Sequence, residues 1–292
     1  MDVDAGRFVA EIVASQIDLH QEYGGVVPDL ASRAHLDNFA HIFEKLKSEH
    51  PSVLHEITSV AVTRGPGLAG CLALGLGFAH ALAFALDVPV FGVNHLRGHL
   101  YSPFIPTWLT DSDSWRVEFG GLLPHLGLIV SGGNTFLALI DRNQKVSILA
   151  ETVDDAAGEA LDKGAKLLGM PYPGGPHIER IAAKGDPAWH VFPLAAKSKN
   201  DRRFSFSGLK TSLRYFLEKT PDAEIEEHLP DICASYQSAV VRQLSLKTEH
   251  MFRAQVPGGI KSLSLSGGVS NNQALRDSMQ SLADRMNCPL LL

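Results

Sequence analysis

ITSVAVTRGPGLAGCLALGLGFAHALAFALDVPVFGV, residues 57–93, sets the fold class. Its opening, ITSVAVT (57–63), is short and β-branched, as a strand requires, and stops at Arg64-Gly-Pro-Gly. A run rich in Gly and Ala follows from Gly65 to Leu86, and Asp87 is the first charge after it. VPVFGV (88–93) is again a strand. Strand, helix and strand in this order make a βαβ unit, so the chain is α/β with a parallel pairing. The Gly/Ala run is long enough to cross a bilayer. It opens on Gly-Pro-Gly, however, and small residues rather than Leu and Ile fill it, so a buried core helix is expected and no membrane contact.

Outward from this unit the pattern continues. SRAHLDNFAHIFEKLKS (32–48) places Leu36, Phe39, Ile42, Phe43 and Leu46 at helical spacing. The stretch 102–121 holds Pro103, Pro106 and Gly120-Gly121 without a period, and is expected to be a long connection and a lobe boundary. LGLIV (126–130) and TFLALID (135–141) are strands joined by SGGNT. A second strand-to-helix passage closes the chain: SLSLS (262–266), GGVSNN, then QALRDSMQSLADRM (273–286), with PLLL (289–292) starting another strand. Two lobes follow, 1–120 and 121–292. The 292 residues carry a net charge of −6, with 45% hydrophobic and 20% charged residues, which excludes disorder and a small disulfide scaffold. Cys71, Cys233 and Cys288 are odd in number and form no CxxC, so neither a zinc knuckle nor a disulfide framework is expected.

Five segments carry chemistry. In His95-Leu96-Arg97-Gly98-His99 two histidines one helical turn apart share a face and can grip a metal, or serve as packing and caps. A zinc peptidase needs Glu directly after the first His, and Leu96 stands there. His125 and Asp87 are further ligand candidates by chemistry alone. Ser131-Gly132-Gly133-Asn134-Thr135 offers backbone N–H groups to an anion, or is a plain hairpin turn. Ser266-Gly267-Gly268-Val269-Ser270-Asn271-Asn272 lies between strand and helix, where a helix amino end can meet a nucleotide. In 154–179, Asp154, Asp155, Glu159 and Asp162 suit a helix start, and Asp162 followed by the Gly-rich turn at Gly175 suits ribose hydroxyls. KSKNDRRFSFSGLKTSLR (197–214) has six basic residues against Asp201, with Phe204 and Phe206 interleaved, a pattern for RNA phosphates and bases or for a solvated surface.

These segments follow one another in the order of one family. TRGPGLAGCLALGLGFAHALAFALDVPVFGVNHLRGHLYSPF, VSGGNT, DDAAGEALDKGAKLLGMPYPGGP, FSFSGLKT and SGGVSNN resemble the tRNA threonylcarbamoyladenosine transferases of the TsaD type, once called glycoproteases. The resemblance implies an actin-like, Hsp70-like two-lobed ATPase fold. It implies transfer of threonylcarbamoyl from threonylcarbamoyl-AMP to the N6 amine of adenosine 37, beside the anticodon, in tRNAs reading codons that begin with A. By the same resemblance His95 and His99 bind one iron or zinc ion per subunit. Ile129, Val130, Ser131, Gly132, Gly133 and Asn134 line the substrate nucleotide, with Asp162, Gly175, Glu179 and Asn272 as further contacts. ATP is a possible second ligand. Some relatives place a tyrosine metal ligand where this chain has Ile129.

The family opens on a hairpin with a phosphate loop and ends on an Asp-Asn segment whose Asp is the third metal ligand. These 292 residues hold neither, so the expectation is a weak or inactive chain with an active full-length parent. A homodimer, a mitochondrial location and an upstream threonylcarbamoyl-AMP synthase are also implied. Two other readings stand beside the transferase: a metallopeptidase, and a non-catalytic nucleotide-binding paralogue that would not need both histidines.

Overall fold

The structure is a computed structural model that describes residues 1, 8–108, 115–194, 203–254 and 259–292. It forms two compact units. One is built on Met1–Tyr101, the other on Ser102–Thr107 with Ser114–Leu292.

The first unit contains α1 (Ile17–Gln21), α2 (Pro28–Glu49), α3 (Val53–Glu56), β1 (Val60–Gly65), α4 (Ala69–Leu86), β2 (Val90–Asn94) and α5 (His95–Tyr101). β1 and β2 pair in parallel across α4, as the βαβ reading requires. Phe39 of α2 stacks on Phe78 of α4 with ring centroids 4.8 Å apart. The expectation of a buried core helix is corrected in degree. Only Ala79 and Ala83 of α4 are buried, while Phe84 is 90% exposed. Two strands and one helix cover only part of a helix that is apolar all round. By length and composition α4 could cross a membrane.

The segment 102–121 is also corrected, since it is not irregular throughout. It holds a 3₁₀ turn (Ser102–Phe104), α6 (Ile105–Trp108) and α7 (Trp115–Gly121). Pro103 and Pro106 fall in the first turn of such pieces, where a missing N–H breaks no bond. Phe104 and Phe119 are buried edge to face at 4.9 Å.

The second unit adds β3 (His125–Val130), β4 (Thr135–Ile140), β5 (Val146–Thr152), α8 (Ala157–Leu167), α9 (Gly174–Ala182), β6 (Arg203–Phe204), α10 (Ser207–Lys219), α11 (Asp222–Glu227), α12 (Leu229–Ala254), β7 (Ser262–Ser266), a 3₁₀ turn (Gly268–Asn271), α13 (Gln273–Met286) and β8 (Leu290–Leu291). Its sheet runs β6-β5-β4-β3-β7-β8. β3, β4 and β5 form an antiparallel meander, whereas β7 runs parallel to β3 and β8 parallel to β7. All six residues of β3 are buried, as befits a central strand covered on both faces. On one face Leu126, Leu128 and Val130 join the core with Leu161 of α8, Ile232, Tyr236, Val240 and Leu244 of α12, and Phe204 and Phe206. The other face presents His125, packed on Phe104 at 4.6 Å.

Candidate active site

The glycine turn at 131–134 is the tip of the β3–β4 hairpin. Val130 opposite Thr135 is the last rung. Ser131 N–H donates to Asn134 O (2.8 Å), and Asn134 N–H donates to Ser131 Oγ (3.0 Å). Gly132 and Gly133 are exposed, and a Cβ built on either meets nothing within 4 Å. Neither has a positive φ. The fold therefore does not demand glycine at these positions. What two bare residues provide is room for another molecule against the backbone.

Two elements press on this turn. The amino end of α8 comes so close that a Cβ on Gly158 would lie 2.6 Å from Ser131 O and 2.9 Å from Gly132 N. The second Ser-Gly-Gly turn passes beneath it. Gly267, at φ 91°, would place a Cβ 2.4 Å from Val130 O, so here the fold itself requires glycine. Both glycine turns thus meet at one end of β3, beside a helix amino end whose dipole favours an anion.

The polar candidates around them are engaged in holding helix ends. Asp162 Oδ1 accepts the Gly174 N–H (2.7 Å) and the Gly175 N–H (3.2 Å) at the start of α9. Burial raises its pKa above the ordinary carboxylate value. The two amides act against that rise, and the charge of Glu159 adds to it. Glu179 Oε1 accepts the Gln273 N–H (2.7 Å) at the start of α13. Asn272 caps the same helix through the Leu275 N–H (3.0 Å) and donates its amide to Gln237 Oε1 (2.7 Å). Ile129 and Val130 are fully buried in β3, so only their backbone lies along the site. Of the residues expected from sequence, Ser131, Gly132, Gly133 and Asn134 form the open turn, while Gly175 and Asn272 stand at the starts of α9 and α13, which the Asp162 and Glu179 carboxylates reach from within α8 and α9.

His95 and His99 belong to the first unit. β2 ends at Asn94, whose Oδ1 accepts the Arg97 N–H (3.1 Å) and so caps α5. One turn of helix then brings the two imidazoles to 4.6 Å between centroids. Burial, and next the charge of His95, lower the pKa of His99. Two imidazoles one turn apart on the same helix face suit two positions of a divalent ion. Among the described residues no group of three His, Cys, Asp or Glu side chains gathers as a metal site.

Two sequence candidates are corrected. His125 is no ligand, because both its ring nitrogens are engaged: Nδ1 with Ser262 Oγ (2.7 Å) and Nε2 with Ser264 Oγ (2.8 Å). Phe204 and Phe206 cannot stack on bases, because both are fully buried in the core. Asp154 fixes their turn, accepting from the Phe206 and Ser207 amides and from the Ser205 and Ser207 hydroxyls. Burial works to raise the pKa of Asp154, but these hydrogen bonds outweigh it and hold the carboxyl below its ordinary range. Lys197, Lys199 and Arg202 lie outside the described residues. Arg214 is exposed, its guanidinium 5.2 Å from the Tyr215 ring. Asp87 ends α4 in the left-handed region at φ 53°.

Sequence reasoning passed over Gly158 and Gln237. A glycine inside the amphipathic start of α8 was the available signal for the first. Gln237 had none, since it sits among apolar neighbours on α12.

Comparison with known proteins shows the family. The sequence pattern of the TsaD family, described as tRNA N6-adenosine threonylcarbamoyltransferase, matches residues 7–292. The chain is 44% identical over 280 residues to the tRNA N6-adenosine threonylcarbamoyltransferase of Geotalea uraniireducens, covering 96% of this chain and 77% of that protein. It is 44% identical over 288 residues to the one from Salinibacter ruber, covering 96% and 80%. Among solved structures it resembles HypF of T. kodakarensis with a TM-score of 0.55 at 14% identity, over 80% of this chain and 38% of HypF. Full-length HypF in its phosphate- and nucleotide-bound form gives 0.54 at 13%, over 87% and 46%. These two likenesses show the fold alone, an α/β one. The chain belongs to the TsaD family, the tRNA N6-adenosine threonylcarbamoyltransferases.

Proposed function

We propose that this protein transfers the threonylcarbamoyl group from threonylcarbamoyl-AMP to the N6 amine of the adenosine beside the anticodon, in tRNAs reading codons that begin with A. The observation that carries the reading is the open glycine turn at 131–134, backed by the amino end of α8 and by the second glycine turn. In the reaction the N6 nitrogen attacks the carbamoyl carbon. The bond from that carbon to the phosphate oxygen breaks, AMP leaves with the electron pair, and N6 loses a proton. Negative charge grows on the departing phosphate. Backbone N–H groups at the turn and the helix amino end stabilise it without reorganising. Asp162 and Glu179 keep α9 and α13 in place around the nucleotide.

His95 and His99 would hold one iron or zinc ion, which when bound supplies a Lewis acid for the threonylcarbamoyl group. On the same reading the protein works as a homodimer in the mitochondrion, supplied by a threonylcarbamoyl-AMP synthase. The family resemblance is the support for these three points.

The test exploits the bare turn. Gly133→Ala leaves the unfolding midpoint unchanged, because its Cβ meets open space at an ordinary φ. It raises KM for threonylcarbamoyl-AMP severalfold, because the phosphate loses close approach to the backbone. A variant with unchanged KM would show that the turn is not the nucleotide site.

A further inference from the structure

We infer that Thr135 is a positioning residue of this site, whose hydroxyl fixes the amino end of α8 against the 131–134 turn and so sets the seat of the substrate phosphate. The inference rests on the nucleotide reading of that turn. α8 starts after Ala156, which is extended and has no side-chain oxygen to cap the helix. The first N–H groups of a helix have no partner within it. Here the missing acceptor comes from β4: Ala157 N–H donates to Thr135 Oγ1 at 2.9 Å. Thr135 is 2% exposed, so solvent is not at hand to replace it.

The place of this bond gives it its consequence. Thr135 is the first residue after the turn and pairs with Val130, the last residue before it. The helix residue next to Ala157 is Gly158, the one that lies against Ser131 O and Gly132 N. One hydrogen bond and one bare glycine therefore hold helix and turn in contact. Without the Thr135 oxygen, the Ala157 amide must find another acceptor, and the end of α8 moves off the turn. The phosphate seat then loses both its shape and the nearby positive end of an eleven-residue helix.

Three proteins decide the matter: wild type, Thr135→Val, which keeps the shape and removes the acceptor, and Thr135→Ser, which keeps the acceptor and removes the methyl. KM and kcat for threonylcarbamoyl-AMP are measured at saturating tRNA, with circular dichroism as the check on folding. Thr135→Val should raise KM about tenfold, the effect of one ordinary hydrogen bond, with kcat within about twofold. Thr135→Ser should return KM to within about twofold of wild type. A KM for Thr135→Val within twofold of wild type overturns the role, as does a Thr135→Ser variant impaired as much as Thr135→Val. If Thr135→Val does not fold, Thr135→Ala is held to the same limits. If the 292 residues alone make no modified tRNA, the same proteins are compared joined to the segments of the Geotalea uraniireducens relative outside the matched residues, and a joined wild type that makes none where the relative does overturns the proposed function, and the role of Thr135 with it.

Discussion

Lowering the pH from 8 to 4.5 should weaken the folded protein by about 3 kcal/mol through His125 alone. His125 is 0% exposed on β3, and burial pushes its pKa down to about 3 from an ordinary 6.5. Its hydrogen bonds fix the neutral tautomer. Ser262 gives its only O–H to Leu122 O (2.7 Å), so Ser262 must accept from His125 Nδ1–H at 2.7 Å. Nε2 is then bare and accepts the Ser264 O–H at 2.8 Å. Protonation would set two donors, Nε2–H and Ser264 O–H, against each other in a buried place. The folded pKa lies below the unfolded one, so this stability is complete above pH 6.5 and is lost as pH falls towards 3. Between those limits the slope is about 1.4 kcal/mol per pH unit, one proton taken up on unfolding. Urea unfolding at half-unit steps from pH 8 to 4.5, for wild type and His125→Gln, measures it. The glutamine does not titrate, so its curve should fall less steeply by one proton between pH 6 and 4.5. Parallel curves would refute the reasoning, as would an NMR titration of the ring proton with a midpoint near 6.5.

Other expectations are read from single contacts. Gly158→Ala should raise KM and lower stability together, because its Cβ meets backbone atoms at 2.6–2.9 Å; steady-state kinetics and urea midpoints on one preparation check both. Gly164→Ala drives a Cβ to 2.4 Å from the buried Tyr236 ring, and overpacking of this kind should cost about 1–3 kcal/mol in urea unfolding. Asp154→Asn should destabilise the protein at neutral pH. The gap to wild type should narrow as pH falls below about 4, because the wild-type carboxyl has a depressed pKa and its contribution is lost on protonation.

Much of this fold was legible because alternation and glycine mark it locally. The pairing of β1 with β2 followed from β-branched ends flanking a Gly/Ala run, β3 and β7 from apolar or alternating strands running into Ser-Gly-Gly, and β4 from the apolar run after the first of those turns. The six-stranded order was not legible, since β7 reaches β3 across some 130 residues and no local pattern records that pairing. Phe204 and Phe206 misled for a similar reason. A Phe-Ser-Phe alternation beside basic residues reads equally as a surface or as a turn tied down by a distant carboxylate, here Asp154. At the site, the glycines, Asp162, Glu179 and Asn272 were marked as ligand contacts. That their polar atoms hold helix ends became visible only with the helices in place. Gln237 and the bond from Ala157 to Thr135 join residues 35 and 22 positions apart, beyond any spacing rule.

The central claim is tested most directly by the modification itself. The chain is mixed with unmodified tRNA, threonylcarbamoyl-AMP and iron or zinc, both alone and joined to the segments of the Geotalea uraniireducens relative that lie outside the matched 280 residues. A His95→Ala/His99→Ala variant and the intact relative run beside it, and tRNA nucleosides are read by mass spectrometry. The account predicts N6-threonylcarbamoyladenosine from the joined protein and its loss in the double variant. No product from the joined protein, in a mixture where the relative makes it, would contradict the account.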